Sequence, residues 1–153
     1  MPVKDPVQLN AAQDAVFADK AYWPTDNGTT YCNLATQDVL NRLGYNALGG
    51  MTADIMYQMI SASPDWLIKP MADAIDLVQE GVILVAILPA MKLGQSHGHV
   101  NTLTPGSPDT SGKWGVKTPL CMNLGRVGTC FRAKGENWAF QIPPEIYALV
   151  ATL

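Results

Sequence analysis

Lysine and arginine together supply only 10 of the 153 residues, against 13 aspartates and glutamates, for a formal charge of −3 at neutral pH. They are scattered along the chain. A protein that tracks a phosphate backbone needs them clustered, so nucleic acid is not an expected partner. No uninterrupted apolar run approaches the ~20 residues that cross a bilayer, so no membrane partner is expected either. The longest such run, Gly81 to Leu88, has the length of a strand. The opening Met-Pro-Val-Lys-Asp-Pro has no basic stretch leading into an apolar one. The expectation is therefore synthesis in the cytoplasm without a secretory signal. Charged residues make up 15% and hydrophobic ones 48%, which excludes a disordered tail or a coiled coil. No repeat, linker or low-complexity tract divides the chain, so residues 1–153 are read as one domain.

Cysteine is also sparse and odd in number: Cys32, Cys121 and Cys130. Cys121 and Cys130 are close enough in sequence to close a short loop in an oxidising compartment. Equally, all three can be reduced thiols packed as small hydrophobes.

The first half reads as helical. Leu9, Ala12 and Val16 recur at helical spacing and predict a helix over roughly 8–19. The turn-rich 22–28 stretch is a loop. Thr29 or Thr30 is the expected cap of a helix ending near Leu43, with Gly44 as its stop. Thr52 opens a helix that buries Ile55, Met56, Met59 and Ile60. Pro70 opens another that buries Met71, Ile75 and Val78. From Val82 the pattern changes to strands: Val82–Leu88 covered on both faces, then His99–Thr104, a long turn over 105–115, a strand near 116–123 and a fourth over 137–142. Helices first and strands afterwards indicate an α+β fold, with N-terminal helices packed on a small antiparallel sheet.

Cys32 falls in the first turn of its helix, on one face with Ala35, Val39 and Leu43. There, partial positive charge and free N–H groups favour a thiolate and can hold an oxyanion. The competing reading is a small core residue. The chain has only two histidines, His97 and His99, both within Gln95-Ser96-His97-Gly98-His99-Val100-Asn101. His99 begins a strand, with Asn101 on its own face and Val100 and Leu103 on the other. A helix bearing Cys32 packed on that sheet brings thiol and imidazole together as nucleophile and general base, with His97 in a loop at the site mouth. Gly94-Gln95-Ser96-His97-Gly98 also matches the serine elbow G-x-S-x-G, but a strand follows it where that elbow needs a helix. His97-x-His99 lacks a second ligand pair of ordinary zinc spacing, so neither metal nor cofactor is expected.

Gly28-Thr29-Thr30-Tyr31-Cys32-Asn33, leading into Asp38-Val39-Leu40, resembles the nucleophile helix of NlpC/P60 and CHAP-type cell-wall hydrolases. Gln79 to Ala86 and then Gly98-His99-Val100, about 67 residues after the cysteine, resemble the strands that lead to and carry their base. The likeness spans roughly residues 20–125. It implies a papain-like fold and a cysteine-dependent amidase or peptidase acting on peptidoglycan stem peptides, with Cys32 as nucleophile and His99 as base. A third polar residue then orients the imidazole. Asn123 is the candidate, because a hairpin folded about 105–115 sets 121–123 opposite His99, with Asn101 and Glu136 as alternatives. Tyr31 is a candidate second oxyanion donor, and Tyr22 and Trp23 are candidate cleft residues with ordinary packing as the competing role. The resemblance leaves open an N-acetylmuramoyl-L-alanine amidase or an endopeptidase, and a phage lysin or an injected antibacterial effector with its immunity protein. Either acts in the periplasm or on the cell wall. The alternative is a non-catalytic wall-binding or structural protein of the same fold with an inert Cys32.

Overall fold

The computed structural model describes residues 4–153. Met1, Pro2 and Val3, part of the N-terminal stretch read above for a leader, lie outside them. Helix α1 (Pro6–Ala18) starts earlier than its periodicity suggests, because Asp5 caps it through Oδ1 to the N–H groups of Val7 and Gln8, and Pro6 takes the first helical position. Helix α2 is Cys32–Arg42, and α3 is Ala53–Ala62, capped by Thr52. Strand β1 (Trp66–Lys69) and helix α4 (Met71–Gln79) follow. Then come β2 (Leu84–Leu88), a one-turn helix α5 (Ala90–Leu93), β3 (His99–Ser111), β4 (Val116–Leu124), β5 (Cys130–Gly135) and β6 (Glu145–Leu149).

The six strands form one sheet in the order β1-β6-β2-β3-β4-β5, antiparallel at every junction. Strand β2 lies inside it and is apolar throughout because both its faces are covered. Val85 and Ile87 pack with Leu40 of α2 and with Met56 and Ile60 of α3. Leu84, Ala86 and Leu88 pack with Ala74 and Val78 of α4 on the opposite face. This is the α+β architecture the order of elements implies.

Several local expectations change. Ile55 and Met59 stand 45% and 46% exposed, since a helix lying on one surface buries a single stripe and these two sit one step around from Met56 and Ile60. In α4, Ala74 and Val78 are buried, while Met71 and Ile75 are only half-buried. The proposed turn over 105–115 is largely strand. A register shift between Thr104 and Asp109 absorbs Pro105, Gly106 and Pro108, and Gln79 brackets Gly106 from α4 through both side-chain atoms. Val100 and Leu103 lie on opposite faces, as an odd separation along a strand demands, and join different clusters. The 137–142 segment is no strand. It begins within a 3₁₀ turn (Glu136–Trp138) that leaves Trp138 60% exposed while Phe140 reaches the core at 4%.

The cysteines are all free. Cys121 lies opposite Lys134, and Cys130 opposite Leu124. The two are thus offset by three residues, roughly 10 Å along the strands, beyond the reach of a disulfide. Among the described residues no helix is long and apolar enough to cross a membrane.

Candidate active site

The site forms where the start of α2 meets the start of β3. Neither Thr29 nor Thr30 caps α2. Thr29 instead accepts a bond from Thr25 N–H within the preceding loop, and Tyr31 occupies the cap position with no side-chain bond to the helix. The first N–H groups of α2 therefore have no capping oxygen. The sulfur of Cys32 lies near the backbone N–H of Asn33 and, from across the interface, that of Val100, and both favour its thiolate.

His99 makes the third contact to the sulfur. Its Nε2 lies 2.6 Å from Oδ1 of Asn123, the next strand over, which leaves Nδ1 for the thiol. The Asn123 amide cannot turn over, because its Nδ2 donates to the carbonyl of Thr129 at 2.6 Å. Oδ1 is thus an acceptor, and Nε2 of His99 carries a hydrogen. Phe140 stands against the imidazole, its ring centroid 5.0 Å away.

Burial by itself pushes the Cys32 thiol up and the His99 imidazolium down. Together, their mutual attraction and the neighbouring polar groups outweigh burial at both sites. The thiol is held below its ordinary value by the imidazolium and the two N–H groups. His99 is held above its own by the thiolate, then by Asn123 and the more distant Glu136. The two shifts run toward each other, the direction that leads to a thiolate–imidazolium pair.

Two glycines make room for it. A Cβ on Gly98 would come within 2.7 Å of Asp54 Oδ1 and 2.9 Å of the Leu88 carbonyl, closing the entry to β3. On Gly125, opposite His99, it would sit 3.3 Å from Asn123 Nδ2, 3.6 Å from His99 Cε1 and 2.7 Å from Thr129 Oγ1.

A cleft of about 720 Å³ opens onto His99, between the 125–129 loop and the segment through Trp138 and Phe140. His97 and Gln95 line it, as do two cations, Lys113 and Arg126, and no carboxylate does. Cys32 is itself not part of this lining; it is buried behind His99 with 6% of its surface exposed.

The structure brings Cys32, His99 and Asn123 into one chain of contacts and sets His97 on the cleft. It does not bring Trp23 or Tyr31 there. Trp23 stacks on Phe17 at 5.2 Å and donates through Nε1 to the Phe17 carbonyl, so it anchors the end of α1. Tyr22 is tied to Asp38 of α2. Tyr31 is a half-buried cap residue, and its neighbour Thr30 lines the cleft instead. Sequence reasoning missed Phe140 and Trp138, hidden in the segment read as a strand, and Arg126 and Lys113, which lie on turns without a motif.

Behind Asn123 is a wholly buried polar layer. Asn101 Nδ2 donates to Asn123 Oδ1 at 3.0 Å and to Glu136 Oε2 at 3.2 Å. Burial raises Glu136 to about 7, against the lowering effect of contacts from Cys121 and Asn101 and of the charge on His99. Cys121 is pushed well up by burial and then by Glu136, so it stays a thiol.

No known family model matches the chain, and no curated protein sequence does.

Proposed function

We propose that this protein is a cysteine-dependent amide hydrolase with a papain-like arrangement, acting on the stem peptides of bacterial peptidoglycan as a phage lysin or an antibacterial effector. One observation carries the reading: a thiol at the uncapped start of a helix is joined to an imidazole whose far nitrogen is held by a buried asparagine amide. The family likeness around Cys32 and His99 supplies the substrate class.

Cys32 and His99 react as the charged pair. The thiolate attacks the amide carbonyl, and the carbonyl electron pair moves to oxygen, where the Cys32 backbone N–H stabilises it. The His99 imidazolium gives its proton to the departing amine. His99 then takes a proton from water, which attacks the thioester, releases the acid and restores the thiol.

The slight exposure of Cys32 favours a second reading, an inert buried thiol in a wall-binding or structural protein. Digestion of purified peptidoglycan by the wild type and by Cys32→Ala, with mass spectrometry of the fragments, separates them. Stem peptides released with a free L-Ala amine, by the wild type alone, identify an amidase. Cut stems or cross-links identify an endopeptidase. Equal silence from both folded proteins on several wall chemotypes supports the binding protein.

A further inference from the structure

Glu136 occupies a position that a structural carboxylate rarely takes. It is 0% exposed in the turn after β5. Among the described residues it makes no ion pair with lysine or arginine. Burying an unpaired carboxylate costs several kcal/mol, so such groups are normally matched by a cation or left protonated. The cation within its network is His99, reached through two side-chain amides. Asn101, 1% exposed, divides its two Nδ2 hydrogens between Glu136 Oε2 at 3.2 Å and Asn123 Oδ1 at 3.0 Å. Asn123 in turn receives His99 Nε2 at 2.6 Å. Among the described residues, Oε1 of Glu136 and Oδ1 of Asn101 have no hydrogen-bond partner. Asn123 Oδ1 thus receives both His99 and Asn101, and Asn101 ties that pair to the Glu136 carboxylate, whose charge favours the imidazolium.

We propose that Glu136 is a positioning residue for the Cys32–His99 pair, which through Asn101 and Asn123 orients the imidazole and sustains its positive charge on the alkaline side of neutrality. The groups that face Glu136 fit this role. His99 of β3 attracts it, and Cys121 of β4 lies beside it with its thiol donated to the Lys134 carbonyl at 3.4 Å. Cys32 of α2 enters only through His99. Asp109 of β3 lies on the same side, where it is engaged by the backbone N–H of Gly135 at 2.7 Å. No lysine or arginine contributes to the balance at Glu136, whose titration lies near 7. Above that pH the carboxylate holds the imidazolium on, and below it the support is withdrawn, where the imidazolium persists unaided.

The inference rests on the thiol-hydrolase reading for its kinetic arm alone. The spectroscopic arm needs no turnover. In NMR titrations of the His99 ring, Glu136→Gln, which keeps the shape and loses the charge, is expected to lower the imidazolium titration by roughly half a unit to one unit. The alkaline limb of kcat/KM moves down with it, a roughly threefold to tenfold loss on that side and none at acid pH. A variant that loses rate equally at every pH, or an unchanged His99 titration, assigns Glu136 a packing role and overturns the proposal. Should Glu136→Gln fail to fold, the wild-type His99 resonance decides: an inflection tracking Glu136 near 7 supports it, and a single titration without one overturns it. A wild type without hydrolysis but with the coupled titration refutes the enzyme reading and leaves the coupling standing.

Discussion

His99 Nε2 and Asn123 Oδ1 are 2.6 Å apart, and the asparagine is held from its other end by Thr129. This contact selects the tautomer of His99. With Nε2 bonded as a donor, only Nδ1 faces Cys32. Replacing Asn123 by Ala frees the ring and removes that selection. The expected outcome is a loss of about 10²-fold in kcat/KM on a stem-peptide substrate, the scale of a positioned acid–base group, with the fold intact by circular dichroism. A loss below threefold would show that Phe140 alone orients the ring.

Cys32 alkylation by iodoacetamide reports the charged pair directly. His99 draws the thiol down and burial opposes it. In His99→Ala the imidazole no longer offsets burial, and only the two backbone N–H groups still draw the thiol down. Labelling at neutral pH is expected to slow by roughly tenfold or more, and to recover as pH rises far enough to ionise the unassisted thiol. Mass spectrometry of the labelled peptide separates Cys32 from Cys130, whose half-buried thiol is raised by burial.

Gly125→Ala introduces a methyl group that meets Thr129 Oγ1 at 2.7 Å and Asn123 Nδ2 at 3.3 Å. Thr129 is a short side chain bonded to the Arg126 carbonyl, so it yields only by moving the loop. The expected cost is about 1–3 kcal/mol in stability, together with a fall in kcat that exceeds any change in KM. Denaturant titration and steady-state kinetics read the two.

Glu136 makes stability depend on pH. Its folded value, about 7, lies above the ordinary 4.5, so between those values the folded state binds more protons than the unfolded chain. Its contribution is therefore fully present in acid and is lost as pH rises towards 7, by up to about 3 kcal/mol. Glu136→Gln removes this slope. Urea titrations at pH 5 and pH 8 should show the wild type losing more stability than the variant over that interval. Parallel losses would contradict it.

Lys113 and Arg126 line the cleft and no acidic side chain opposes them, although the chain as a whole is acidic. A substrate bearing carboxylates fits that lining. Arg126→Gln is expected to raise KM severalfold with little change in kcat, and the wild-type KM to rise with ionic strength in the manner of partly exposed charges. A KM indifferent to both would remove the cations from recognition.

Much of the architecture is legible residue by residue. Thr52 caps its helix, Pro70 stands just before the next, and the apolar run ending at Leu88 is covered on both faces because nothing polar interrupts it. Strands β1, β5 and β6 escaped the reading. Trp66–Lys69 is four residues long, Cys130–Gly135 is an edge strand with weak alternation, and β6 is read as sheet only when β1 and β2 flank it. Pro105 and Pro108 misled because a bulge admits residues that a regular ladder rejects.

Cys32 and His99 announce themselves from the chain, since a helix start and a strand start are local features and the chain holds only two histidines. What stands behind them does not. Asn123 meets His99 because β4 pairs with β3 in one register, and Asn101 and Glu136 join only once a third strand and its closing turn are in place. Strand register separates Cys121 from Cys130 in the same way, and the end of α1 draws Trp23 away from the cleft. Propensity, capping and alternation act over a few residues, so the order of residues decides them. Register and burial couple segments far apart in the chain, and only folding sets those distances.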